Sequence, residues 1–265
     1  MFPLFVEPSY LNAHLNDDNL LIVDLCKHET WQQTHIPGAV HVEPSELVSG
    51  VKPAVGKLPD RNRLNALFSR LGYSPELQIV AYDDEGGGWA GRFLWTLDAI
   101  GHKKSAVLNG GLVAWMGEGF AVDDHQREVT PESVDVEIHP EVIATKQQVL
   151  DSLDDPDTVI WDARSAEEFK GLKSGSDRAG HIPGARNLDW LETMDRDNHL
   201  KTRTDIEDLL QERGITSDRN VITHCQTHHR SGLTYVIGKA LGYRIRAYDG
   251  SWSEWGNDPD MPIET

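Results

Sequence analysis

The stretch Val221-Ile222-Thr223-His224-Cys225-Gln226-Thr227-His228-His229-Arg230-Ser231-Gly232 decides how this chain is read. It begins as a β-rich run after Asp218-Arg219-Asn220. It opens into Leu233-Thr234-Tyr235-Val236-Ile237-Gly238-Lys239-Ala240-Leu241, which is long and apolar enough for a helix. The pattern is strand, loop, helix, with a cysteine as the first loop residue. A loop feeding a helix N-terminus turns successive backbone N–H groups toward its concave side and favours an anion there. Cys225 is therefore expected to ionise more easily than a free thiol and to act as a nucleophile whose product carries negative charge on sulfur. The bland alternative is a small buried core residue. Its place at a strand end, ahead of a polar loop, argues against that.

Working outward, the chain shows itself twice. Leu20-Leu21-Ile22-Val23-Asp24 is matched by Thr158-Val159-Ile160-Trp161-Asp162. His35-Ile36-Pro37-Gly38-Ala39 recurs as His181-Ile182-Pro183-Gly184-Ala185. Leu108-Asn109-Gly110-Gly111 before Trp115 recurs as Tyr248-Asp249-Gly250-Ser251 before Trp255. Each pair is offset by roughly 140 residues, the period of a whole domain rather than of a solenoid unit, so the chain reads as a tandem duplication. Strands are expected near Leu20–Asp24, Gln78–Tyr82, Ser105–Leu108, Val159–Asp162, Val221–His224 and Arg244–Tyr248. Helices are expected near Leu64–Leu71, Ala90–Ile100, Asp205–Arg213 and Gly232–Leu241, the last two followed by glycine. Short buried strands alternating with helices indicate an α/β fold with parallel sheets. The boundaries are 1–125 for the first domain, 126–140 for a linker rich in Asp, Glu, His and Pro, and 141–265 for the second.

Composition narrows the function. Of 265 residues, 38% are hydrophobic and 26% charged, as in a soluble globular protein. The formal net charge of −18 argues against nucleic acid as a partner and repels anions at long range, so any anion site must be local. Two cysteines, Cys26 and Cys225, exclude a disulfide framework, and a reducing compartment is the simpler reading. The N-terminus lacks the basic region of a signal peptide, and no uncharged apolar run approaches membrane-spanning length. A cytoplasmic protein with no membrane partner is expected.

Asp162-x-Arg164, Glu168-Phe169 and Gly180-His181-Ile182-Pro183-Gly184-Ala185-x-Asn187 resemble the opening motif of rhodanese domains, and Tyr248-Asp249-Gly250-Ser251-Trp252-x-x-Trp255 is similar to their closing motif. Cys225 stands where that family carries its catalytic cysteine. The resemblance spans both halves and implies two rhodanese-like domains, each a parallel sheet flanked by helices on both faces, the first inactive and the second catalytic. In the first half the place of the cysteine is taken by Asp83, followed by Asp84 and Glu85, which would repel an anionic donor; a phosphate-cradling role for Gly86-Gly87-Gly88 is a minor possibility.

The resemblance further implies a sulfurtransferase working by double displacement. Thiosulfate would donate its outer sulfur to Cys225, and the covalent persulfide would pass it to cyanide or another thiol or protein acceptor, with no metal or organic cofactor. Gln226 and Thr227 replace the adjacent basic residues of vertebrate rhodaneses, and the Gly-Ser-Gly loop of mercaptopyruvate sulfurtransferases is absent; the loop resembles a bacterial tandem-rhodanese variant. Arg230 would hold sulfonate oxygens or offset the persulfide charge, against the plainer reading of a partner for a scaffold carboxylate. His228 and His229 would donate hydrogen bonds to a donor anion or simply face water. Gln226, Thr227 and Ser231 are expected to act mainly through backbone N–H groups. Trp190 is a candidate pocket wall, and Arg186 a weaker candidate for the same cleft. Asp162 and Arg164 should brace the scaffold, and Cys26 should be a core residue. His224, Cys225, His228 and His229 crowd one tight loop, which does not offer the separated ligand pairs of structural zinc. Three rivals remain: a persulfide carrier, a mercaptopyruvate sulfurtransferase, and a cysteine-dependent phosphatase. The last is disfavoured because its loop is one residue longer than the four residues between Cys225 and Arg230. The duplicated halves could satisfy each other, so a monomer is expected.

Overall fold

The apolar runs read from the sequence become the central strands of two parallel sheets. The computed structural model describes residues 2–265. The chain packs as two units, neither of them one continuous segment. The first extends to Leu47 and adds Pro59–His139 and Asp195–Thr202; the second comprises Val48–Leu58, Pro140–Met194 and Arg203–Thr265.

In the first unit the elements run β1 (Phe5–Val6), α1 (Pro8–Ala13), β2 (Leu20–Asp24), α2 (His28–Gln33), β3 (Val40–His41), α3 (Arg61–Arg70), β4 (Gln78–Tyr82), α4 (Gly88–Ala99), β5 (Ser105–Leu108) and α5 (Gly111–Gly117). The strands lie in the order β1-β5-β4-β2-β3, all parallel. Every residue of β2 and β4 is buried, as required of strands covered on both faces. Trp31, Tyr82 and Trp115 fill one side of the sheet. Asp60 caps α3 by accepting from the Arg63 amide at 3.0 Å. The stretch expected as a linker runs along this unit: the Val136 amide donates to Asn65 Oδ1 at 2.9 Å, and the His139 amide to Ala99 O at 2.7 Å.

The loop after β4 holds an anion of its own. Asp83 Oδ1 accepts amide hydrogens from Glu85, Gly86 and Gly87 at 3.1, 3.0 and 2.8 Å, and Oδ2 accepts from Ala90 at 3.0 Å. Gly86 and Gly87, at φ 100° and 109°, supply the left-handed backbone that turns those amides inward. The triglycine loop is thus a cradle already filled by the side chain that opens it. Burial and the Glu85 charge push Asp83 up to about 6, against the pull of the amide bonds.

In the second unit the elements run α6 (Lys146–Asp151), β6 (Thr158–Asp162), α7 (Ala166–Phe169), β7 (Arg186–Asn187), α8 (Ile206–Glu212), β10 (Asn220–His224), α9 (Arg230–Ala240), β11 (Arg244–Ala247) and α10 (Ser251–Trp255); the short strands β8 (Met194–Asp195) and β9 (Lys201–Thr202) lie at the two ends of the Asp195–Thr202 segment counted with the first unit. The main sheet is parallel in the order β11-β10-β6-β7, and Ile143 makes a parallel bridge to Ala247 at the edge that β1 occupies in the first unit. The repeated His-Ile-Pro-Gly-Ala motif does the same packing job twice. His35 Nδ1 lies 2.9 Å from Trp31 O with the two rings stacked at 3.7 Å; His181 Nδ1 lies 2.8 Å from Phe169 O with the rings stacked at 3.6 Å.

Beneath the strand ends of this unit sits a fully buried ion pair. Arg164 donates to both Asp162 oxygens at 2.6–3.1 Å and to Gly180 O at 2.8 Å, with its guanidinium carbon 4.4 Å from the centre of the Trp252 ring. Burial opposes ionisation of Asp162, but His224 and Arg164 hold the carboxyl below its usual range.

Two stability predictions follow from these buried charges. Asp162→Asn leaves the Arg164 charge uncompensated and should cost about 3–5 kcal/mol in urea unfolding. Because the folded carboxyl is depressed, the wild-type contribution of this pair is complete above the ordinary carboxylate pKa of about 4 and fades as pH falls below it, whereas the variant should lack that dependence. Asp83→Ala strips the partner from a ring of amides and should cost about 1–3 kcal/mol; an unchanged midpoint would show that water replaces the carboxylate without loss.

Candidate active site

Cys225 follows β10 directly, at the place Asp83 holds after β4. The chain then passes through Gln226, Thr227, His228 and His229 into α9, an eleven-residue helix whose N-terminus faces the loop. His228 takes φ 57°, the turn that glycines provide in the first unit. Histidine tolerates this region better than most side chains, but the backbone is strained there, as is common where geometry serves chemistry.

The sulfur is enclosed, with 1% of the residue exposed, yet the enclosure is polar. Ser231 Oγ donates toward Cys225 Sγ at 3.5 Å, and His228 Nδ1 lies 2.7 Å from the same hydroxyl. A consistent polarity runs from His228 N–H to the Ser231 oxygen and from the Ser231 hydroxyl to sulfur. Burial opposes ionisation of the thiol. The Arg230 charge, the Ser231 hydroxyl and amide, and His229 overcome that opposition and hold Cys225 below the ordinary thiol value.

Arg230 is a bidentate partner of Glu168, Nη1 to Oε2 at 2.6 Å and Nη2 to Oε1 at 2.9 Å. Glu168 also closes a capping box with Ser165 at the start of α7, so the pair ties α9 to α7 beside the sulfur. The geometry shows the plainer reading of Arg230, a guanidinium locked to a scaffold carboxylate, and from that place its charge still acts on the thiol.

The remaining residues separate. Gln226 uses its side chain as well as its backbone, with Nε2 donating to Ser176 Oγ at 3.1 Å. Ser231, expected to serve mainly through its amide, also presents its hydroxyl to sulfur. His228 is buried rather than facing water, and His229 is half-buried with its ring 5.5 Å from that of Trp190. Trp190 thus borders the loop as a wall. Arg186 is not gathered with the others: it is exposed on β7, two strands from β10, with its guanidinium near Gly214. The surface arginine proves the better reading, because a residue on this edge strand points away from the loop that follows β10.

Four supporting residues escaped the sequence reading. Glu168 stood in the opening motif without a role, and its Ser-x-x-Glu spacing signals only a helix cap. Ser251, at φ 52°, has its Oγ 3.4 Å from the Cys225 amide as acceptor. Ser176 anchors Gln226. Gly56, far away in sequence, sits so close that a Cβ there would fall 2.1 Å from Thr227 O. Leu58 N and Lys57 Nζ fasten its segment to Asp249 and Glu254 at 2.8 and 2.6 Å. Nothing local in the sequence marks Gly56.

The family model for the Rhodanese-like domain matches residues 7–118 and 145–258. A thiosulfate sulfurtransferase from Azotobacter vinelandii and another from Pseudomonas aeruginosa are each 48% identical over 99% of this chain and 97% of their own. A sulfur carrier protein, TtuD, from Thermus thermophilus is 29% identical over 98% of this chain and 96% of its own. Among solved structures, the anaerobic ergothioneine biosynthesis enzyme from Chlorobium limicola superposes with a TM-score of 0.87 at 22% identity, covering 99% of this chain and 70% of that one, a likeness of fold. With the family model matched in both halves and relatives 48% identical over nearly the whole chain, this chain belongs to the rhodanese family.

Proposed function

We propose that this protein is a thiosulfate sulfurtransferase whose second domain, 141–265, is catalytic and whose first, 1–125, is an inactive copy. The observation that carries the reading is Cys225 Sγ at the start of α9, enclosed by the Ser231 hydroxyl and amide and neighboured by Arg230. The helix dipole and these donors favour sulfur as an anion before and after it gains an atom.

The reaction is a double displacement. The Cys225 thiolate attacks the outer sulfur of thiosulfate; the S–S bond of the donor breaks, and sulfite leaves with the bonding pair. The persulfide anion, one atom longer, keeps the charge within reach of Ser231 and Arg230. Cyanide or another thiophile then attacks the terminal sulfur, and the thiolate returns as leaving group. No proton is needed at the sulfur in either half, which suits a site built of donors. In the same reading Trp190 and His229 border the route of the donor, Gln226 and Thr227 shape the loop, and no metal or organic cofactor takes part.

Among the described residues no helix is long and apolar enough to cross a membrane. A cytoplasmic monomer that receives small anions and hands sulfur to a small or protein-borne acceptor is the reading that fits the acidic composition and two unpaired cysteines.

Intact-protein mass spectrometry tests the first half-reaction: thiosulfate should add one sulfur atom to the wild type, cyanide should remove it, and Cys225→Ser should take up none. Sulfur uptake by Cys225→Ser would overturn the assignment. The electrostatic account is tested by alkylation rate against pH. A depressed thiol pKa means that the rate rises and levels off at lower pH than for a free cysteine. Arg230→Ala, which also leaves Glu168 uncompensated, should move the inflection up by about one unit or more, and Glu168→Gln should move it down. Equal profiles for all three proteins would remove Arg230 from the mechanism.

A further inference from the structure

We propose that the first domain binds a first-row divalent metal ion, zinc best by its donors, through His28 Nδ1, His41 Nε2 and Glu43 Oε1. The three ligand atoms lie within 4.8 Å of one another, with Glu43 Oε1 2.8 Å from His28 Nδ1 and 3.2 Å from His41 Nε2. Tetrahedral zinc with legs of about 2.0–2.1 Å sets neighbouring donors about 3.3 Å apart, so small side-chain shifts complete the geometry. Two imidazoles and a carboxylate form a donor set that zinc takes readily, with a fourth position left open.

Three independent features point to an ion rather than a chance surface cluster. The His41 side chain is nine-tenths buried, and its ring nitrogens meet only two carboxylates, Asp24 Oδ1 at 3.5 Å and Glu43 Oε1 at 3.2 Å, neither in good hydrogen-bond geometry. Both histidines have the far nitrogen attended: Asp24 Oδ1 is 3.5 Å from His41 Nδ1, and the Gln32 amide is 2.9 Å from His28 Nε2, where turning the amide over presents its oxygen to the ring N–H. That is the outer shell that orients metal-bound imidazoles. The cluster also opens into a cavity of about 390 Å³, lined further by Trp31, Arg70 and Arg127, which leaves room for water or an anion as the fourth ligand.

The second domain shows the contrast. Asn187 follows His181 at the spacing at which His41 follows His35. Its amide is consumed by Asp162 O and Arg164 O at 3.0 and 2.8 Å. One copy uses the position to brace a strand; the other places an imidazole there with no such duty.

The competing occupant is a proton. Burial disfavours a charged His41, but the neighbouring Asp24 and Glu43 carboxylates outweigh burial and raise its pKa. The test uses full-length protein freed of metal by a chelator and titrated with Zn²⁺ by calorimetry and with Co²⁺ by visible absorption. One equivalent should bind, with the d–d bands of a low-symmetry nitrogen–oxygen site. His28→Ala, at a half-exposed position that should not disturb folding, and Glu43→Gln should each weaken binding at least tenfold, as should Asp24→Asn, on the scale of about 10–100-fold seen for outer-shell changes. Zn²⁺ should raise the thermal midpoint of the wild type and not of His28→Ala. No stoichiometric uptake would leave the proton as occupant and overturn the proposal. Uptake unchanged in His28→Ala and Glu43→Gln, or lost only in Cys225→Ser, would overturn it by placing the ion elsewhere. None of these readouts depends on sulfur transfer.

Discussion

Negative charge held by main-chain amides at the end of a central parallel strand is the constraint on which both domains depend. In the first domain the occupant is the Asp83 carboxylate, with four amide donors. In the second it is the Cys225 sulfur, facing the Ser231 hydroxyl at the start of α9. Hydrogen bonds to a charged acceptor stabilise by about 1.5–3 kcal/mol each, so either occupant helps hold its loop. The difference is chemical: a carboxylate in such a ring is inert, whereas a thiolate can gain and lose an atom while the charge stays in place. In a chain of net charge −18, this local field is what makes an anionic reaction feasible.

Holding sulfur this way costs backbone strain, and the surrounding structure offsets it. His228 and Ser251 both adopt positive φ without being glycine. The loop from Cys225 to Arg230 is pinned from several sides: Glu168 on Arg230, Ser176 on Gln226, Gly56 against Thr227, and the amides of Trp252 and Ser253 on the carbonyls of Cys225 and Gln226 at 3.0 and 2.9 Å. Beneath them the Asp162–Arg164 pair fixes the ends of neighbouring strands. The candidate nucleophile and its rigid support are thus made by different residues, which leaves the sulfur little freedom to relax.

The two copies share a fold and differ at the ends of their strands. The His-Ile-Pro-Gly-Ala motif stacks its imidazole on an aromatic ring in both copies, a packing role that explains why the motif persists in a domain without a nucleophile. What changed are the residues at strand ends, where α/β sheets carry their sites. Cysteine faces aspartate after the central strand, and asparagine faces histidine on the edge strand.

Much of this was legible in one dimension. The strands Leu20–Asp24, Gln78–Tyr82, Val159–Asp162 and Val221–His224 announced themselves because a doubly covered strand must be apolar throughout, and the nucleophile because a cysteine opens the loop between strand and helix. The two-residue strands and single-turn helices such as α7 are too short to carry a period. The Arg230–Glu168 lock, the burial of His228, the exposure of Arg186 and the approach of Gly56 to Thr227 depend on which distant segments meet. That Val48–Leu58 packs with the second unit and Asp195–Thr202 with the first is of the same kind. The sequence by itself determined the α/β duplication and which sulfur is the candidate nucleophile, since apolar patterning and residue chemistry are local properties. Only the tertiary structure decided what surrounds that sulfur, because hydrogen-bond partners and close approaches are set by packing between residues far apart along the chain.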